Sequence, residues 1–200
     1  MKQNPDSPTR DETDDSLEDM MQHLEAAKQR DRSKSRRRNR SSTSGLQAKI
    51  QNRTDVAVLA SNHEARLEEI AANEAVTHRS GKPWTSAKVG VASHGRLPIY
   101  YRLDSEVAYK GYISQIVIYP EKNTAQAEEL LQHITEADTY SEYHDKLDTT
   151  TFVVTDGERL DDPFPQTELR KLSGDGTIDK GFSRQPAYVY QRPGDFPDFA

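Results

Sequence analysis

All 15 aromatic residues of this 200-residue chain lie at or beyond Trp84. Aromatic side chains supply much of the burial in a small core, so a folded core has to be built mainly from the second half. The aliphatic residues lean the same way: of the 36 Leu, Ile, Val and Phe residues, ten fall in residues 1–85 and 26 in residues 86–200. Together they make 18% of the chain, below the level of about 20% expected of a chain that folds throughout. A folded C-terminal part is therefore expected behind a long, core-poor N-terminal part.

Charge divides the N-terminal part further. Residues 1–27 carry two bases and eight acids, residues 28–53 ten bases and one acid, and residues 54–200 fifteen bases and 24 acids. The net charge of −6 thus conceals a basic island between two acidic segments. Its centre is the stretch DRSKSRRRNRSS, residues 31–42, with Arg32, Lys34, Arg36, Arg37, Arg38 and Arg40 set against Asp31 alone. An acidic main body has the wrong sign for general contact with nucleic acid, and only the island has the right one.

Several classes are excluded or disfavoured by what the chain lacks. With no cysteine, disulfides, thiol nucleophiles and cysteine-ligated zinc are ruled out. The opening MKQNPDSPTR has no apolar segment of the kind a secretory signal needs, and no run approaches the ~18 apolar residues of a membrane span. A cytoplasmic location is expected, or a nuclear one in a eukaryote.

Along the chain, residues 1–15 read as a disordered acidic tail, rich in Asp, Thr and Pro. Residues 16–30 read as an amphipathic helix, with Ser16 as its cap and Leu17, Met20, Met21, Leu24 and Ala27 at helical spacing. Residues 31–45 form the basic, flexible linker. No proline occurs between Pro8 and Pro83, and Gly45 is the sole glycine before Gly81, so residues 46–80 read as a second helical segment. Val56, Leu59, His63, Leu67 and Ile70 would form a narrow stripe on it. Such a stripe suits packing along one partner, in coiled-coil fashion against a second copy or against the C-terminal domain, although its heptads are short and irregular.

Residues 86–190 read as a small α+β domain, a mostly antiparallel sheet with one main helix on its face. AKVGVA and LPIYYRL around SHG suggest a hairpin, GYISQIVIYP a buried strand, and NTAQAEELLQHITEAD a helix. TTTFVVTDGERL reads as a strand entering an Asp-Gly turn and QPAYVYQ as a further strand. Residues 191–200 then read as an extended tail.

Nothing in the domain forms a recognisable catalytic set: His94, Asp104, Tyr109, His133, Asp156 and Asp175 follow no known spacing. SGDGTIDKG lacks both the Lys-Ser/Thr ending of a phosphate loop and the distal Glu of a calcium loop. No cofactor, catalytic residue or metal ligand is therefore assigned. The functional expectation is a non-enzymatic adaptor or accessory protein. Its Arg32, Lys34, Arg36, Arg37, Arg38 and Arg40 would bind nucleic acid through backbone phosphates, duplex rather than single-stranded because no aromatic is interleaved for base stacking. Protein partners, or a second copy, would meet Met20, Met21 and Leu24 of the first helix. They would also meet Phe196 and Phe199 of the acidic, aromatic tail. The alternative is a structural or assembly component of virion or scaffold type, self-associating through residues 16–80. An enzyme of unknown class is the third possibility.

Overall fold

A computed structural model describes residues 45–135 and 147–199. Contacts divide the chain between Ser44 and Gly45. The acidic tail, the first helix and the basic linker as far as residue 44 lie outside the described residues.

The second unit opens with α1 (45–51), followed by β1 (Val56–Ser61), α2 (Glu64–Ala72), β2 (Ala75–Ser80) and α3 (Thr85–His94). Then come β3 (Leu97–Leu103), β4 (Glu106–Ile118), α4 (Ala125–Leu131), β5 (Thr150–Pro165), a 3-10 turn (Gln166–Glu168) and β6 (Ala187–Tyr190). The six strands form one sheet in the order β2-β5-β4-β3-β1-β6. β1 runs parallel to β3, and the other four pairings are antiparallel. The unit is therefore α+β with a mixed, mainly antiparallel sheet and four helices among the described residues.

The central position of β1 and β3 explains their sequences. VAVLA of β1 and LPIYYR of β3 are buried without interruption, as strands covered on both faces must be. Towards the β2 edge the two faces separate by alternation. Val76 and His78 share one face with Phe152 and Val154, while Ala75 and Thr77 share the other with Val153. The first face belongs to the main core, where Trp84 at the start of α3 lies over Phe152 with ring centroids 4.7 Å apart. The second face carries a small separate cluster, Leu130 of α4 on Val117 and Val153.

Residues 46–80 are not a continuous helix. The absence of proline and glycine permits a helix without requiring one, and VAVLAS, rich in β-branched valine, gains more by entering the centre of the sheet. Of the expected stripe, Val56 and Leu59 lie in β1 and Leu67 and Ile70 in α2, all four buried in the core of the same unit as residues 86–190. The hairpin expected around SHG also differs, because residues 85–94 are helical. Gly90 is required there: a Cβ at this position would come within 2.9 Å of Ile50 Cγ2 and of both Leu97 methyls, so its lack of a side chain lets α3 settle between α1 and β3. Asp156-Gly157 is no turn either. Asp156 adopts φ 49°, a kink inside continuous β5, and a Cβ on Gly157 would sit 2.2 Å from the Ile70 carbonyl oxygen of α2.

Both sheet edges have cover. Outside β6, Leu172 donates its N–H to the Tyr188 carbonyl and Tyr190 donates to that of Arg170, each at 2.9 Å. Outside β2, the Thr77 N–H meets the His133 carbonyl at 2.8 Å. These contacts satisfy part of the backbone that would otherwise template association.

Candidate functional site

Arg32, Lys34, Arg36, Arg37, Arg38 and Arg40, and with them Met20, Met21 and Leu24, lie outside the described residues. Phe196 and Phe199 are buried against their own unit. Phe196 is 5% exposed, edge-on to Tyr100 and Tyr112 at centroid distances of 5.0 and 5.4 Å. Phe199 lies edge-on to His94 at 5.6 Å. Polar contacts hold the segment between them: Asp195 accepts from the Tyr100 hydroxyl at 2.6 Å, its carbonyl accepts from Lys110, and the Asp198 carbonyl accepts from Arg96 at 3.0 Å. Tyr100 and Tyr112 lack cover on this face, and covering them removes more apolar surface from water than leaving the two phenylalanines extended. Of the residues expected as partner contacts, Phe196 and Phe199 belong to the core cluster.

Of the polar groups weighed for catalysis, His94, Asp156 and Tyr109 each have a contact of another kind. His94 Nε2 lies 2.8 Å from the Ile50 carbonyl oxygen, Asp156 pairs with Arg96 at 3.2 Å, and Arg159 sits over the Tyr109 ring at 5.8 Å. Among the described residues no three His, Asp or Glu side chains come together as metal ligands would.

The structure does assemble one polar cluster that spacing in the sequence does not reveal. It draws Asn62 from the β1–α2 loop, Arg66 and Glu69 from α2, Thr77 and His78 from β2, Tyr101 from β3 and Thr135 from beyond α4. The Tyr101 hydroxyl and His78 Nδ1 are hydrogen-bonded at 2.6 Å, and His78 Nε2 is buried with no hydrogen-bond partner among the described residues. Asn62 Nδ2 approaches the same Nδ1 at 3.5 Å. Arg66 pairs with Glu69, bonds the Thr135 hydroxyl, and donates to the Thr77 carbonyl at 2.7 Å. His78 and Tyr101 are 2% and 1% exposed, and Phe152 stands edge-on to the imidazole at 5.8 Å.

Burial, reinforced by the charge of Arg66, pushes the His78 pKa down to about 3, and burial pushes Tyr101 well above the usual phenol range. Both rings are therefore neutral near neutral pH. A general acid or base works best with a pKa close to the operating pH, and this pair lies far from it on both sides. The cluster acts as a hydrogen-bonded clamp that ties β2, α2 and β3 together. The only sequence signal for it is His78 alternating with Val76 on a buried face.

Comparison of the chain with protein-family models, with curated proteins and with solved structures yields no match. Among the described residues, no helix is long and apolar enough to cross a membrane.

Proposed function

We propose that this chain is a non-enzymatic nucleic-acid accessory protein whose basic segment, residues 31–42, contacts backbone phosphates while its folded unit serves other contacts. The observation that carries this reading is the charge segregation: six bases fall within residues 32–40, in a chain whose residues 54–200 hold fifteen bases against 24 acids. An Arg-rich segment without aromatic residues suits duplex phosphate contact and offers nothing for base stacking. The buried polar side chains of the folded unit are consistent with it, since His78 is bonded to Tyr101, and Arg66 to Glu69 and the Thr77 carbonyl. The first helix, through Met20, Met21 and Leu24, is the proposed protein contact. Residues 46–80 drop out of that role because their apolar side chains are buried in their own unit.

The test is a salt titration of duplex-DNA binding by fluorescence anisotropy, with the full chain and its Arg36/Arg37/Arg38→Ala variant. Six phosphate contacts imply a slope of log K on log salt of about −5, and three contacts about −3. Absence of binding at low salt, or equal slopes for the two proteins, refutes the reading.

A further inference from the structure

Arg102, next to the last residue of β3, is a buried cation whose charge the mixed sheet does not neutralise. It is 7% exposed. Its Nη1 donates to Gln166 Oε1 at 2.9 Å and to the Phe182 carbonyl. Gln166 is itself fully buried, fixed by two bonds of 2.9 Å from its Nε2 to the Asp179 and Lys180 carbonyls. The guanidinium is thus held in place by neutral acceptors. No carboxylate pairs with it among the described residues, and burial lowers its pKa with no acid to oppose the shift. Withdrawing a cation from water without an anionic partner costs several kcal/mol, so a paired state is the one such an environment favours.

The geometry leaves donors of the guanidinium unused for that partner. A guanidinium has five N–H donors, and the two on Nη1 are used by Gln166 and Phe182. The three on Nε and Nη2 meet no acceptor among the described residues, yet neither nitrogen is among the polar atoms sealed from solvent. Nε and Nη2 form the side-on edge that matches the two oxygens of a carboxylate or phosphate. Ser61 of β1 stands opposite Arg102 in the parallel register. Its hydroxyl oxygen accepts from Gln185 Nε2, which leaves the hydroxyl proton to donate. The loop that supplies the Phe182 carbonyl carries the exposed Lys180 and Arg184, with Asp179 on it paired to Lys171. The location is also favourable on general grounds, since ligands of open sheets gather at the carboxyl ends of parallel strands.

We propose that the Nε–Nη2 edge of Arg102, beside Ser61, is an oxyanion site that takes a carboxylate or phosphate group in a two-bond, side-on pairing. The proposal is independent of the basic segment and of nucleic-acid contact through it.

The experiment follows the arginine Nε–H resonances of the uniformly nitrogen-15-labelled full chain. The protein is titrated with sodium phosphate, and separately with sodium acetate, against sodium chloride of matched ionic strength. Arg102→Lys, which keeps the charge and removes the fork, assigns the Arg102 signal and serves as the variant in parallel melting curves. The expected result is a saturable shift of the Arg102 signal with one or both oxyanions and not with chloride. A rise in the melting temperature of the natural chain, absent in Arg102→Lys, should accompany it. The relative response to acetate and phosphate tells which group the site prefers. An Arg102 signal unmoved by either oxyanion up to tens of millimolar overturns the proposal. So does an equal thermal response in Arg102→Lys, which would place the anion on Lys180 and Arg184. Should Arg102→Lys not fold, Arg102→Gln serves for assignment and the natural-chain titration alone decides.

Discussion

Phe196→Ala separates the two roles open to the C-terminal aromatic residues. If Phe196 served a partner, its removal would leave the isolated protein as stable as before. In the structure it is 5% exposed between Tyr100 and Tyr112, with Lys110 Nζ 5.5 Å from its ring centroid. Removing a buried Phe side chain costs about 3–5 kcal/mol, which already includes the roughly 0.5–1.5 kcal/mol of each edge-to-face pair. The lower end applies here. Phe196 is anchored in a short segment after Gly194, and the cost of its loss cannot exceed the free energy of detaching that segment. About 3 kcal/mol is therefore expected in urea unfolding. For a unit of this size, with melting temperature moving about 2–4 °C per kcal/mol, that means a drop of roughly 6–12 °C. Near-ultraviolet dichroism should change as well, since Tyr100 and Tyr112 lose their ring neighbour. A loss below about 0.5 kcal/mol, the range of an ordinary surface substitution, would refute the core assignment and return Phe196 to the partner-binding role.

Three further outcomes test other parts of the fold. Gly157→Ala places a Cβ 2.2 Å from the Ile70 carbonyl oxygen and should cost more than about 2 kcal/mol, because backbone must yield to backbone. Gly45→Ala, with nothing within 4 Å, should stay within about 0.5 kcal/mol and serves as the control. His78 is neutral when folded, with a pKa near 3 against an ordinary 6.5. Its stabilisation is complete above pH 6.5 and is lost as pH falls towards 3, because the unfolded chain takes up the proton first. The slope from this residue is about 1.4 kcal/mol per pH unit within that window. Urea unfolding at pH 6.5 and pH 5 should therefore show about 1.6 kcal/mol more loss in the natural chain than in His78→Gln; parallel pH profiles would count against the buried neutral imidazole.

How far the sequence disclosed this architecture depended on whether a signal was local or long-range. LPIYYRL, GYISQIVIYP and the first part of the helix expected in NTAQAEELLQHITEAD, which spans Ala125–Leu131, were legible because apolar runs and capping are properties of neighbouring residues. Thr124 does accept the Ala127 N–H at 3.2 Å. VAVLAS was misread because a short apolar run fits a strand or a buried helix equally, and its position between β3 and β6 is settled by residues 40 and 130 positions away. AKVGVA, read as one arm of a hairpin, lies in the helix Thr85–His94, where Gly90 lets it pack on Ile50 and Leu97. The buried cations have the same origin. Arg66 and Arg102 look like surface charges in sequence, since arginine is rarely buried unless paired. Only the fold brings Thr77 and Thr135 to the first, and only neutral acceptors to the second. The two arginines therefore differ in what the fold has left undone. Arg66 has its carboxylate within its own helix and completes a structural clamp. Arg102 is held by a buried glutamine, yet keeps its charge unmatched and its Nε–Nη2 edge without an acceptor among the described residues. Rigid placement of an unneutralised fork is the arrangement expected of recognition rather than of stability, which is why Arg102, and not the larger His78 cluster, is the residue on which a ligand should be sought.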